Sequence, residues 1–206
     1  MTSSKYGPQA ERWSEEAYAD ASAYLAHRAE LVLTVGPRLE AGDSLLDLAC
    51  GDGGFADHVP TLRYTGVDAS AEMVEAAARR GRNVVLGDLN DYEPPQPVDA
   101  TTCFRAIYYA RDHKAFFRRV AAYTERKLVF DLNPRQYRVR DVEADLHAVG
   151  FDRVELRPFF SPQRVSLPRP AAAALHAFER SGPIARLVLL RRFSYVCAAY
   201  RGGTKT

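Results

Sequence analysis

LLDLACGDGGFA, residues 45–56, begins as an apolar run, takes in one acid at Asp47, and breaks into Ala49, Gly51, Gly53 and Gly54 before apolar character returns at Phe55. The run has the look of a buried strand. Gly51 and Gly53 let the chain turn sharply and bring its backbone against a ligand that a Cβ would obstruct, and a helix beginning near Gly54 offers that ligand unpaired N–H groups. Such a turn suits a nucleotide or nucleoside. On its own it is also what a plain strand–helix connection requires, and Gly51-x-Gly53-x-x-Ala56 meets the dinucleotide fingerprint as well.

Outward from this stretch, apolar periodicity and turn signals alternate. Strand-like runs fall at 44–49, 62–68, 83–88, 99–104 and 127–132, with helix-like segments near 54–60, 71–81, 112–125 and 139–149. A βαβ series with right-handed crossovers predicts a parallel sheet carrying helices on both faces. A long helical stretch, 9–36, precedes it and closes at Gly36-Pro37. Beyond residue 150 come a strand at 152–160, a Pro-punctuated helical insertion at 162–190 and a last strand at 193–200; these two strands can pair antiparallel at one edge. No repeat or linker divides the chain, so residues 1–206 are expected to form one domain.

The bulk properties agree. A chain of 206 residues, 47% hydrophobic and 26% charged, fits one core of ordinary size. MTSSKYGPQAERW at the start has no apolar core of a signal peptide, and no stretch approaches the ~20 apolar residues that span a bilayer, so a soluble cytoplasmic protein is expected. Cys50, Cys103 and Cys197 lie in or beside apolar runs, without the spacing of a disulfide framework or a zinc site, and read as buried reduced thiols; no metal is expected. Residues 151–206 hold ten Lys+Arg against three Asp+Glu, a net +7 in a chain of net +2, leaving −5 for residues 1–150. That asymmetry either attracts an anionic partner or is a solvated face.

Open α/β sheets bind ligands beyond the carboxyl ends of their strands. Asp68 closes the second strand in YTGVD, where a carboxylate can accept hydrogen bonds from both vicinal hydroxyls of a ribose. NAD would also use it. Asp47, however, lies inside the first strand, where a dinucleotide domain keeps an apolar residue; there it can hold the loop's amides or answer a ligand's ammonium. Met73 opens the next helix and can lay its polarizable side chain on an adenine face. Asp88 can accept from an adenine amino group while the N–H of Leu89 meets a ring nitrogen. No second phosphate site accompanies them, so the set describes an adenosine with a charged amino-acid tail.

Together LLDLACGDGGFA, GVDASAEM and GDL, with the edge strands 152–160 and 193–200, resemble the class I S-adenosylmethionine-dependent methyltransferases. The resemblance implies a three-layer Rossmann-like α/β fold, with a seven-stranded, mostly parallel sheet whose last strand is antiparallel. It implies S-adenosyl-L-methionine as cofactor and S-adenosyl-L-homocysteine as product. Asp47, Ala49, Cys50, Gly51 and Gly53 then cradle the methionine moiety, Asp68 and Ala69 the ribose, Met73 one side of the adenine, and Gly87, Asp88 and Leu89 its edge. Ala49 stands where the family usually has glycine. A leading helix often lids the cofactor in such enzymes; Tyr24 and Arg28 share one face of it, and Arg28 can meet the methionine carboxylate.

Phe104 and Arg105, after the fourth strand, should divide cofactor from acceptor. Relatives often carry histidine near positions 108 and 109; here Tyr108 and Tyr109 stand with His113 nearby, as candidates to shape or activate the acceptor, while Asp112 can simply cap the next helix. Asn133 could hydrogen-bond a polar substrate, and Arg135 or Arg105 could pair an anionic one. The arginines of 162–192 either belong to an insertion covering the acceptor pocket or recruit a phosphorylated, carrier-bound or membrane-surface substrate. Nucleic acid is not expected, since no aromatic platform interleaves the basic residues. The reading is methyl transfer to a small molecule, a bacterial metabolite, with oxygen favoured over nitrogen or carbon. A cofactor-binding protein with a non-methylating or partner role is the alternative, and an NAD-dependent oxidoreductase a more distant one.

Overall fold

The computed structural model describes residues 10–182, 184–185 and 194–202. Its elements are α1 (Trp13–Ala17), α2 (Ala21–Thr34), β1 (Ser44–Leu48), β2 (Arg63–Asp68), α3 (Ala71–Arg79), β3 (Val84–Leu86), β4 (Val98–Cys103), α4 (His113–Tyr123), β5 (Thr124–Leu132), α5 (Val139–Ala148), β6 (Arg153–Phe159), α6 (Arg169–Glu179) and β7 (Ser194–Tyr200). The seven strands form one sheet in the order β3-β2-β1-β4-β5-β7-β6. β1 to β5 pair in parallel, and β7 runs antiparallel to both β5 and β6. The last two strands therefore do not simply extend the edge: β7 is inserted between β5 and β6.

Alternation along each strand divides the core into two layers. Leu46, Leu48, Leu128 and Phe130 face α4 and α5 and pack with Phe116, Phe117 and Leu146. Leu45, Val129 and Val196 point the other way, onto Leu25, Val32 and Phe55. Asp47 takes the parity of Leu45, so its carboxylate lies on the face covered by α2.

Three expectations are corrected. The helical stretch 9–36 is two helices, because Tyr18 is extended (φ −133°, ψ 136°) and the Asp20 side chain accepts the N–H of Ala23 as the N-cap of α2. The segment after the glycine loop is a 3₁₀ turn, Gly54–His58, rather than an α-helix. In the insertion, helix occupies Arg169–Glu179 and residues 184–185, while the preceding 162–168 are irregular; 183 and 186–193, with Arg186, Arg191 and Arg192, lie outside the described residues. Cys103 and Cys197 are buried and Cys50 is half-buried, all three free. Among the described residues no helix is long and apolar enough to cross a membrane.

Candidate active site

The strand order reverses between β1 and β4, and the glycine loop leaves the sheet at that point. Within five residues the backbone is left-handed three times, at Ala49 (φ +58°), Gly51 (φ +62°) and Gly53 (φ +69°). Alanine in this region costs about 1–2 kcal/mol, so the departure at Ala49 is accommodated as strain in an otherwise unchanged turn. Gly51 has a second reason to be glycine: a Cβ there would stand 3.1 Å from the Trp13 side chain.

The loop's amides are held by two acids, neither of them Asp47. Asp68 accepts the N–H of Gly51 (2.8 Å) through Oδ2 and that of Ser70 (2.9 Å) through Oδ1. Asp52, fully buried, accepts from Gly54 N (3.1 Å), Ser14 Oγ (2.6 Å) and Arg80 (3.2 Å), which fastens α1 and α3 to the loop. Asp47 instead accepts from Thr102 Oγ1 (2.7 Å) and Tyr64 Oη (2.9 Å). Burial raises its carboxyl to about 6, against these hydrogen bonds and the charge of Arg28, which pull it down.

Asp68, exposed Ala69, Gly87, Asp88 and Leu89 follow along the ends of β2 and β3, as the sequence places them. Asp88 accepts from the backbone and side chain of Asn90 (2.8 and 2.7 Å) and from Arg111 (3.1 Å). Burial opposes its ionisation, but those donors outweigh it and hold the carboxyl below its ordinary value. Met73 is buried with Ala10 and Ala76 beneath Trp13.

Arg28 is buried, its guanidinium 4.3 Å from the Phe104 ring and 4.9 Å from the Tyr24 ring. It donates to Tyr24 Oη (3.2 Å) and Tyr18 Oη (3.4 Å), and the two phenols stack at 4.1 Å. Among the described residues no carboxylate lies within ion-pair distance of it. Burial would lower its proton affinity, yet Tyr18, Tyr24 and Asp131 keep it raised and the charge in place. Arg105, also left-handed (φ +54°), approaches the Tyr18 ring at 5.5 Å and donates its backbone N–H to Asp131 Oδ1 at 2.6 Å.

Tyr108 and Tyr109 form a 3₁₀ turn after β4, half-exposed, with rings 4.4 Å apart. Burial, followed by the Tyr109 hydroxyl, pushes the Tyr108 phenol upward. His113 Nε2 donates to the carbonyl of Ile107, the first residue of that turn, at 3.2 Å, and its ring meets Tyr137 edge-on. It lines a concavity of ≈ 290 Å³ with Ile107, Leu132, Gln136 and Tyr137, between α4 and α5. Asp112 caps α4 by accepting from Lys114 and Ala115. Asn133 Oδ1 accepts the N–H of exposed Arg135, a turn contact.

Three participants escaped the sequence reading. Trp13, the one tryptophan of the chain, lies against Gly51 and Met73, and only the fold brings it there. Tyr18 becomes visible once α2 is seen to start after it. Asp131 was legible in principle, since KLVFDL ends a strand with an acid just as LLDLA and YTGVD do.

Residues 45–127 match the family model of a methyltransferase domain. A trans-aconitate 2-methyltransferase of Mycobacterium tuberculosis is 33% identical over 109 residues, covering 49% of this chain and 40% of the relative. A dTDP-4-amino-2,3,4,6-tetradeoxy-D-glucose N,N-dimethyltransferase of Saccharopolyspora spinosa is 34% identical over 114 residues, covering 52% and 46%. The chain thus spans under half the length of these curated relatives. Among solved structures, a Haloferax volcanii methyltransferase in complex with the Trm112 activator superposes with a TM-score of 0.65 at 18% identity, covering 100% of both chains.

The matched segment, residues 45–127, is similar to a methyltransferase domain, and the seven-stranded sheet with its antiparallel β7 is the one that the resemblance to class I S-adenosylmethionine-dependent methyltransferases implies. The chain's sequence relatives carry different acceptors in their names, so the acceptor is a question for this chain's residues.

Proposed function

We propose that the chain transfers the methyl group of S-adenosylmethionine to an oxygen of a small polar or anionic molecule, and that residues 1–206 work as one unit with α1 and α2 as its lid. The observation that carries this reading is Arg28, a buried cation without a carboxylate partner among the described residues, set beside a loop whose amides and glycines are arranged for close approach. An amino acid's carboxylate suits Arg28, and Asp47, on the same face of β1, suits its ammonium. Asp68 has lone pairs left for ribose hydroxyls after serving the loop. Asp88 and the Leu89 N–H offer the adenine edge its partners.

When bound, the cofactor supplies a methyl group on a positive sulfur; the residues supply position. Phe104 and Arg105 stand between the two substrates, and the stacked phenols of Tyr18 and Tyr24 exclude water from that space. Tyr108, Tyr109 and His113 shape or activate the acceptor; because His113 Nε2 donates to Ile107 O, the nitrogen that can take a proton in the neutral ring is Nδ1. Arg105 and Arg135 attract an anionic acceptor, with Asn133 as a polar contact. An acid and an amino sugar nucleotide in the relatives' names support a small acceptor.

Trp13 provides the test. S-adenosylmethionine and S-adenosylhomocysteine, but not NAD, are expected to change its fluorescence and to raise the melting temperature. Incubation of the enzyme and cofactor with a fractionated extract is then expected to release S-adenosylhomocysteine together with a product heavier by one methyl. Absence of both the fluorescence and the thermal response would refute cofactor use; binding without product in any extract would refute methyl transfer.

A pH dependence follows from Asp47. Its folded value of about 6 exceeds the ordinary 3.8, so between these values the native state binds a proton that the unfolded chain does not. The group therefore stabilises the empty enzyme as pH falls through that window, whereas a ligand ammonium needs it ionised. The dissociation constant for S-adenosylmethionine is expected to be flat above about pH 7 and to rise toward about tenfold per unit below pH 6. Asp47→Asn should flatten the profile.

A further inference from the structure

Away from the cofactor loop, α2, α6 and the end of β6 bring His27, Glu30, His176 and Glu179 together. Glu179 is buried, 1% exposed, and its carboxylate is fully used: Oε1 accepts the Phe160 N–H at 2.6 Å and Oε2 lies 2.6 Å from His27 Nε2. An ionised carboxylate only accepts, so His27 Nε2 must carry the hydrogen. In the neutral ring the lone pair is then on Nδ1, and Nδ1 faces another acceptor, Glu30 Oε2, at 3.4 Å. The His176 ring lies parallel to His27 at 3.5 Å. His176 Nε2 lies 3.5 Å from Ser161 Oγ, and in its neutral form the ring keeps one nitrogen lone pair whichever tautomer it adopts. Two imidazoles and a carboxylate thus each bring one ligand atom within 4.8 Å of the others.

We propose that His27 Nδ1, Glu30 and one ring nitrogen of His176 bind a divalent transition metal ion, zinc being the best fit, that staples α6 to α2. Two imidazoles and one carboxylate select such an ion over calcium or magnesium. Glu179 behind His27 is the outer carboxylate that fixes the tautomer and orientation of a metal-binding imidazole. Three protein ligands leave the fourth tetrahedral position to water. Zinc–nitrogen bonds of about 2.1 Å require the His176 ring to rotate out of the stack and Glu30 to close in. Both are free to move, His176 being only partly buried and the Glu30 side chain 51% exposed. The ion does not touch the reacting groups. It positions α2, in which Arg28 is the residue after His27.

The full chain, dialysed against a chelator and titrated with zinc chloride at pH 7.5, is expected to bind one equivalent. Its melting temperature should rise by roughly 5–10 °C at a hundredfold excess over the dissociation constant. Glu30→Gln should weaken binding at least about tenfold, and His176→Ala should abolish the shift; both positions are exposed enough for the fold to survive. Cobalt should give the visible bands of a tetrahedral site in the wild-type chain and not in His176→Ala. An unchanged zinc response in His176→Ala would overturn the proposal. So would stabilisation of the metal-free chain by acid with no further effect of zinc, because the cation between His27 and Glu30 would then be a proton.

Discussion

Asp68→Ala is expected to raise the dissociation constant for S-adenosylmethionine by at least ~100-fold. A hydrogen bond to an ionised group contributes about 1.5–3 kcal/mol, and the ribose offers two, which converts to roughly 10²–10⁴-fold. The loss has a second route. Asp68 also holds the N–H of Gly51 and of Ser70, so its removal frees the left-handed turn on which the cofactor's close approach depends. Asp68→Asn separates the two, since the amide oxygen keeps one acceptor for the loop but forfeits the charge. Isothermal titration of both variants, with their melting temperatures, gives the partition. A loop-only role predicts that Asn recovers most of the affinity; a ribose role predicts that it recovers little although the fold is restored. An alanine variant binding within threefold of wild type would remove Asp68 from the site.

The strands were legible because each is an apolar run bounded by turn residues, and the run length alone identifies it. All seven lie within a few residues of their sequence positions, and the candidate cofactor residues at the ends of β1, β2 and β3 come with them. What was not legible depends on contacts distant in sequence. The break at Tyr18 is decided by the Asp20 cap and by Ala19 N–H reaching Gln163 O, neither of which leaves a mark in helical periodicity. The insertion of β7 between β5 and β6 is likewise a pairing choice that two adjacent antiparallel strands do not reveal. Asp47 was placed correctly and its partners were not, because Tyr64 and Thr102 come from the strands on either side. Chain separation hides His27 and Glu179 in the same way.

The other large effect is expected at Asp131, at the end of β5. Its Oδ1 accepts the Arg105 N–H at 2.6 Å, and Arg105 is held left-handed by that bond. Burial raises its carboxyl, while the Arg105 N–H and the charge of Arg28 draw it back toward ionisation. Asp131 is thus a negative charge acting on the buried guanidinium of Arg28 without touching it. Asp131→Ala removes a charge-assisted hydrogen bond and part of the compensation of a buried cation, at about 2–4 kcal/mol. In a domain of this size that lowers the melting temperature by roughly 5–15 °C. Asp131→Asn restores an acceptor for Arg105 but no charge, so the stability it recovers measures the hydrogen bond and the remainder measures the charge. The cofactor makes the distinction sharper: a carboxylate received by Arg28, as proposed, would replace the missing charge, so saturating S-adenosylmethionine should stabilise Asp131→Asn by more degrees than it does the wild type. Equal ligand-induced shifts in the two proteins would mean that Arg28 does not receive the carboxylate.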